Sequence, residues 1–214
     1  MTVPFTSGQF FDVFVAYNMA IWPAQIGAYV LGLVAVTALW LKLPKLILSI
    51  LALMWLWNAI GYHYLFFSSI NPAAKLFAGL FTLEAVLLAI CASTTMSVSF
   101  CLARNFRTTA GLGFIACAMV VYPILGWWAG HGFMAGPMFG VAPCPTTIFT
   151  IGVLLLARGR WVLWISVVPI LWSVVGLAAA VQLGMFEDFA LPIAGFFLLI
   201  VLARPQTFLK EQST

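Results

Sequence analysis

Long apolar runs alternate with short polar breaks along the whole chain. Seven runs recur, at about 22–42, 46–66, 73–92, 109–129, 144–158, 161–183 and 187–203. Most approach the roughly 20 residues that carry a helix across about 30 Å of hydrocarbon. The pattern predicts an all-α, polytopic membrane protein of seven transmembrane helices in a single domain spanning 1–214. A shorter stripe precedes the first run. Phe10, Phe11, Phe14 and Tyr17 fall at helical spacing, and Thr6 or Ser7 can cap a helix running through Asn18. This segment, 5–20, reads as an outer interfacial helix, broken from the first span at Trp22-Pro23 because proline removes a backbone donor.

Charge orients the runs. Lys42 and Lys45, Arg104 and Arg107, Arg158 and Arg160, and Arg204 and Lys210 occupy alternate gaps, whereas the intervening connections hold only Lys75. Cytoplasmic loops retain Lys and Arg, so the N-terminus is expected outside and the C-terminus in the cytoplasm. No Lys or Arg precedes Lys42, so the first run is expected to stay in the membrane rather than act as a cleaved signal. Composition agrees. The chain is 64% hydrophobic and 7% charged, too few charges for a water-facing surface. Its net charge of +4 belongs to loop anchoring and implies no nucleic-acid partner. The four cysteines lie far apart, which argues against a disulfide framework.

The fifth run departs from the rest. Pro145 to Ala157 supplies roughly 20 Å of helix, too little to cross, so the span is expected to be broken at Pro143-Cys144-Pro145. Irregular backbone at membrane depth survives only where protein or a watery cavity covers it, and such breaks mark binding sites in transporters. Cys144, with Thr146 and Thr147 in the first turn, would then face a ligand, free N–H groups favouring an anion or thiolate. The plain alternative is a tight proline turn around an inert thiol. A weak internal echo accompanies this. Trp57, Tyr122 and Trp172 each stand four residues before a glycine, suggesting one helix followed by three similar hairpins.

Few other residues carry chemistry. Glu84 is the one acid well inside a run, where an ionised group costs about 2.5–3.5 kcal/mol on insertion scales. It is therefore protonated, paired or facing a wet interior, and suits a proton-coupled step; a neutral carboxyl bonded to a neighbouring helix is the bland reading. Asn58 and Gln25 are its candidate partners, or simply glue between helices. His63 and His131 are the only histidines and, with Cys144, form a candidate metal set; Met134 and Met138 extend it toward copper(I). The spacing is not compact, and interfacial histidines usually bond to backbone or water. A bis-histidine haem is a remoter option, so the cofactor is unknown. Asn71 and the pair Glu187-Asp188 read first as helix caps, with Asn71 also near the expected outer-end ligand site.

Several segments resemble one family. These are Phe5-Thr-x2-Gln-Phe-x-Asp-Val-Phe-x2-Tyr-Asn18, Trp22-Pro-Ala-Gln25, Tyr62-His63-x2-Phe-Phe-x2-Ile-Asn-Pro-Ala-Ala74 and Pro143-Cys-Pro-Thr-Thr-Ile-Phe-Thr150. Together they resemble an uncharacterised bacterial polytopic inner-membrane family, a domain of unknown function, over nearly the whole chain. The resemblance implies the fold and a bacterial cytoplasmic membrane location, and no activity. Met134 and Met138 fall outside its pattern, which weakens the copper(I) series.

Three functional readings follow. The first is binding or transport of a small solute or ion at an outward-facing site. There Cys144, Thr146 and Thr147 hold the ligand, His63 and His131 flank the entrance, and Glu84 couples protons, with Asn58 nearby. The second is a non-catalytic accessory subunit or assembly factor, with a protein partner or a second copy packed against the 19 Phe and 9 Trp residues. The third is an outward-facing enzyme using Cys144 or a metal. No retinal-type lysine occurs in the last run and no hydrolase, zinc-protease or nucleotide motif is present.

Overall fold

The computed structural model describes residues 4–94, 98–130 and 132–203; His131, Arg204 and Lys210 lie outside them. The chain folds almost entirely into helices. α1 (Ser7–Ala20) starts at a capping box in which the Gln9 amide N–H donates to Thr6 Oγ1 at 3.2 Å and the Thr6 N–H donates to Gln9 Oε1 at 2.9 Å. α2 (Ala24–Trp40) leaves α1 at a bend of 83° around Pro23. α3 (Pro44–Trp57) begins on a proline and continues as a π-helix over Asn58–Tyr64. α4 (Ala74–Ser93) returns. α5 (Phe106–Ala116) passes through a second π-helix, Cys117–Val121, into α6 (Tyr122–Trp128). A short turn of helix, α7 (Gly132–Ala135), leads to α8 (Pro143–Leu156). α9 (Val167–Leu183) and α10 (Ala190–Leu202) complete the chain, joined through a 3₁₀ turn at Phe186–Phe189.

Among the described residues, four continuous helical stretches are long and apolar enough to cross a membrane: Pro44–Ser69, Ala74–Ser93, Phe106–Trp128 and Arg160–Leu183. The bent pair α1–α2 makes a fifth at most. Seven spans are expected, the fifth of them too short and broken, and four or five are of full length. The shortfall lies in α8 and α10, of 14 and 13 residues, which reach only about 20 Å each. Their apolar runs include turns and loop that hydropathy does not distinguish from helix. One two-residue antiparallel ladder also forms, β1 (Ser99–Phe100) on β2 (Ala157–Arg158), and closes the end of α8.

α8 is the centre of the molecule. Every residue from Phe139 to Ala157 is buried except Cys144, which keeps part of its surface accessible. The surrounding helices explain how a short helix and the irregular segment before it can sit at this depth, since protein covers their backbone. α5 approaches α8 most closely where Gly111 meets Gly152. A Cβ on Gly111 would come within 2.8 Å of the Gly152 carbonyl oxygen, and one on Gly152 within 2.8 Å of the Gly111 oxygen. Small residues let membrane helices approach at backbone distance, where dispersion between packed atoms holds them. The turn into α8 needs glycine for another reason. Gly140 has a φ of +75°, and a Cβ there would press within 2.8 Å of Ala28.

The outer surface is apolar nearly throughout. Leu33, Leu53, Leu83, Ile124, Val174 and Ile193 all stand exposed along the helices. Exposed aromatics gather toward both ends, Trp22, Tyr64, Trp127 and Trp128 at one and Trp40, Phe106 and Trp164 at the other. A continuous apolar band with aromatic rims fits a bilayer and not water.

Candidate functional site

The site forms where α8 starts. Cys144 is the second residue of that helix, held between prolines 143 and 145. The helix begins two residues earlier than expected, and this changes its chemistry. The two prolines bring no N–H, and the Ala142 N–H already donates to the Met138 carbonyl at 2.9 Å. Of the four donors a helix start ordinarily presents, only that of Cys144 remains. Thr146 and Thr147 turn inward and back: their hydroxyls donate to the carbonyls of Ala142 and Pro143 at 2.7 and 2.8 Å. The start of α8 is thus a weak anion cradle.

What faces Cys144 is a carboxyl. Its thiol donates to Asp188 in the 3₁₀ turn before α10, and the Tyr122 hydroxyl donates to Asp188 Oδ1. Glu187 and Asp188 are both buried, so they belong to the interior and not to the exposed caps expected of them. Burial pushes the Asp188 carboxyl up to about 7; the hydrogen bonds from Tyr122 and Cys144 oppose the rise, and neighbouring Glu187 adds to it. Asp188 is therefore poised to exchange a proton near neutrality, and Cys144, its hydrogen-bonded neighbour, is only partly buried.

From this cluster a line of buried side chains leads inward. The Trp172 indole N–H points at the Cys144 sulfur without reaching hydrogen-bond geometry. The Trp172 ring meets the His63 imidazole edge-on, centroids 5.1 Å apart, and His63 in turn meets Phe81 at 4.6 Å. Glu84 follows Phe81 by three residues on the same buried face of α4. His63 and Glu84 are fully buried, and neither nitrogen of one nor either oxygen of the other has a hydrogen-bond partner among the described residues. Aromatic rings enclose His63 with Phe77 at 5.8 Å and Tyr62 at 5.2 Å. Buried polar groups are nearly always paired, and an unpaired one costs about 1–3 kcal/mol. Two such side chains, His63 and Glu84, stand in this one line.

The expected partners of Glu84 lie elsewhere. Asn58 donates to the carbonyls of Met54 and Gly140 at 2.8 and 3.3 Å and to Thr146 Oγ1 at 3.3 Å, so it ties the π-helix to the start of α8. Gln25 donates to the Asn18 carbonyl at 2.8 Å, and Asn18 to those of Met134 and Gly136. Both amides hold the segment before α8 in place. Asn71 lies outside the cluster: its Oδ1 accepts from the Ala73 N–H at 3.1 Å and shapes the turn into α4. Among the described residues no three His, Cys, Asp or Glu side chains converge to hold a metal, and all four cysteines are free. His63 and Cys144 lie on either side of Trp172 instead of meeting at one point.

Sequence reading missed Tyr122, Trp172 and Asp188 as members of this site. The first two did carry a signal. Tyr122 and Trp172, two of the three aromatics of the internal echo, point into this region, whereas Trp57 is exposed and holds the segment before α8. The Trp57 indole donates to the Tyr17 hydroxyl at 2.8 Å, and Tyr17 donates to the Val141 carbonyl at 2.6 Å. Both π-helices also border the site, one carrying Asn58 and His63, the other delivering Tyr122. Single turns of π-helix are rare and gather at functional sites.

Residues 7–213 match the family of unknown function DUF6064, and the chain belongs to that family. No curated protein and no solved structure matches it.

Proposed function

We propose that this DUF6064 member is a multi-pass membrane protein that passes protons between an outer-end cluster at Asp188 and the mid-membrane carboxyl of Glu84. The protons are coupled to binding or movement of a small solute or ion. The observation that carries this reading is Glu84: fully buried on a helix long and apolar enough to cross a membrane, with neither carboxyl oxygen partnered among the described residues. An ionisable group inside a span is expensive, and no packing role visible around it recovers the cost. Asp188 offers the entry, Tyr122 and Cys144 its hydrogen-bonded neighbours, and His63 the one titratable side chain between the two acids along the line described. The solute meets the accessible face of Cys144, with Thr146 and Thr147 behind it.

In this reading α2, α3, α4, α5–α6, α8, α9 and α10 make seven crossings of a bacterial cytoplasmic membrane. The short α8 and α10 are sheltered within or against the longer helices. The N-terminus is outside, and Lys42, Lys45, Arg104, Arg107, Arg158 and Arg160 lie at the cytoplasmic end, as charge asymmetry directs. A fluorescent protein fused after the last residue then fluoresces in cells, and alkaline phosphatase fused there is inactive; the opposite pair of results reverses the orientation.

Proton movement is tested in vesicles reconstituted with the full chain and loaded with a pH-sensitive dye, under an imposed membrane potential. Wild type acidifies the lumen faster than Glu84→Gln, with equal incorporation of both. Equal rates remove Glu84 from any proton path that runs without the solute. Native mass spectrometry in mild detergent addresses the solute. A bound small molecule lost in Cys144→Ser places it at the start of α8, whereas a co-purifying protein would instead favour an accessory subunit.

A further inference from the structure

A cavity lies at the opposite end of the molecule from Asp188. It encloses about 500 Å³ between the first turn of α5, the last turn of α8 and the last turns of α10. One wall carries Arg107 and Arg158 beside the helix-capping Asn105; the other is apolar and includes Phe106, Phe197 and Val201. No Asp or Glu is among the described residues that line it. The Arg107 guanidinium is fixed in position, because its Nε and Nη2 donate to the carbonyls of Leu155 and Ala157 at the end of α8. A positive charge is thus anchored at the rim of a helix C-terminus, where it also meets the negative end of the helix dipole.

The surroundings identify the occupant. Phe106 is 74% exposed, and Phe196 and Leu199, flanking the cavity on α10, are 61% and 51% exposed on the band that faces lipid. The cavity therefore joins a basic interior wall to that apolar surface. A molecule with an anionic head and apolar tails fills both parts, whereas a soluble anion fills only the first. Basic pockets between helices at this end of membrane proteins take anionic lipid headgroups. We infer that this cavity is a binding site for an anionic glycerophospholipid, its phosphate against Arg107 and Arg158 and its acyl chains along Phe197 and Val201. The site is independent of the proton path, sharing none of its residues.

The test uses the full chain in mild detergent, titrated with phosphatidylglycerol or with phosphatidylcholine of the same acyl chains, and read by native mass spectrometry. Phosphatidylglycerol is retained in preference to phosphatidylcholine. Arg158→Gln weakens its retention roughly fivefold, as loss of one basic contact near a lipid surface would, and Arg158→Lys restores most of it. Val201→Trp blocks retention by filling the cavity while leaving both arginines in place. Excess inorganic phosphate leaves the lipid bound. Equal retention of the two lipids overturns the inference, as does retention unchanged in both Arg158→Gln and Val201→Trp. Displacement by inorganic phosphate also overturns it, making the cavity a site for free anions.

Discussion

Tyr122 and Asp188, 66 positions apart in the chain, meet in one hydrogen bond from the phenol to carboxyl Oδ1. The bond joins the helix that follows the second π segment to the turn that starts α10, and it lies wholly within the protein. It brings an acid that reads as a surface cap into contact with Cys144 and partly offsets the rise that burial imposes on that acid's titration.

Asp188 makes stability depend on pH. Its carboxyl titrates at about 7 in the folded protein against an ordinary 3.8, so the folded state binds the proton more tightly. Stability from this group is complete below about 4 and is lost as pH rises toward 7. Thermal unfolding in detergent from pH 4 to 8 should show that decline, and Asp188→Asn should flatten it. Tyr122→Phe removes a donor that favours the carboxylate, so it should carry the decline to higher pH. A shift to lower pH would contradict this account.

Glu84 should be worth more to function than to stability. Replacing it with Met exchanges an unpartnered buried carboxyl for an apolar side chain of similar length, and should stabilise the fold by about 1–3 kcal/mol while abolishing proton movement. The thermal midpoint measures the first effect and the vesicle assay the second. A lower midpoint would reveal a structural partner for the carboxyl.

The crossing of α5 and α8 tolerates no side chain. Gly152→Leu would drive the new Cβ into the Gly111 oxygen and into Ile115, whose backbone nitrogen lies 2.9 Å from that position. The helices must separate, at a cost of about 1–3 kcal/mol or more. Gly79→Ala serves as the control, since nothing lies within 4 Å of its added Cβ. If both variants melt alike, the close crossing is not what holds α8.

Arg107 closes the end of α8. Arg107→Gln withdraws charge-assisted donors from the Leu155 and Ala157 carbonyls, and should lower stability by about 1.5–3 kcal/mol. The Ser99–Arg158 ladder beside it should loosen as well, seen as faster amide hydrogen exchange at Cys101, whose N–H donates to the Leu156 carbonyl at 2.9 Å, and at Arg158. Exchange unchanged at these amides would separate the ladder from the cap.

Hydrophobic spacing alone was enough to find helices long and apolar enough to cross a bilayer, to set the helical class and to mark the fifth run as different. Those are properties of composition over windows of about 20 residues, which the solvent reads directly. The same local chemistry announced the Thr6 cap and the break at Pro23. Sequence also singled out Glu84, because a carboxyl in hydrocarbon is costly wherever the fold puts it. It could not count complete spans, since hydropathy does not separate α8 from the buried loop before it. Nor could it find that Asp188 and Tyr122 converge on Cys144, or that Asn58 and Gln25 turn away from Glu84. Those choices depend on which helix faces which, and in a membrane that is decided by backbone approach at positions such as Gly111 and Gly152 and by hydrogen bonds between residues distant in the chain.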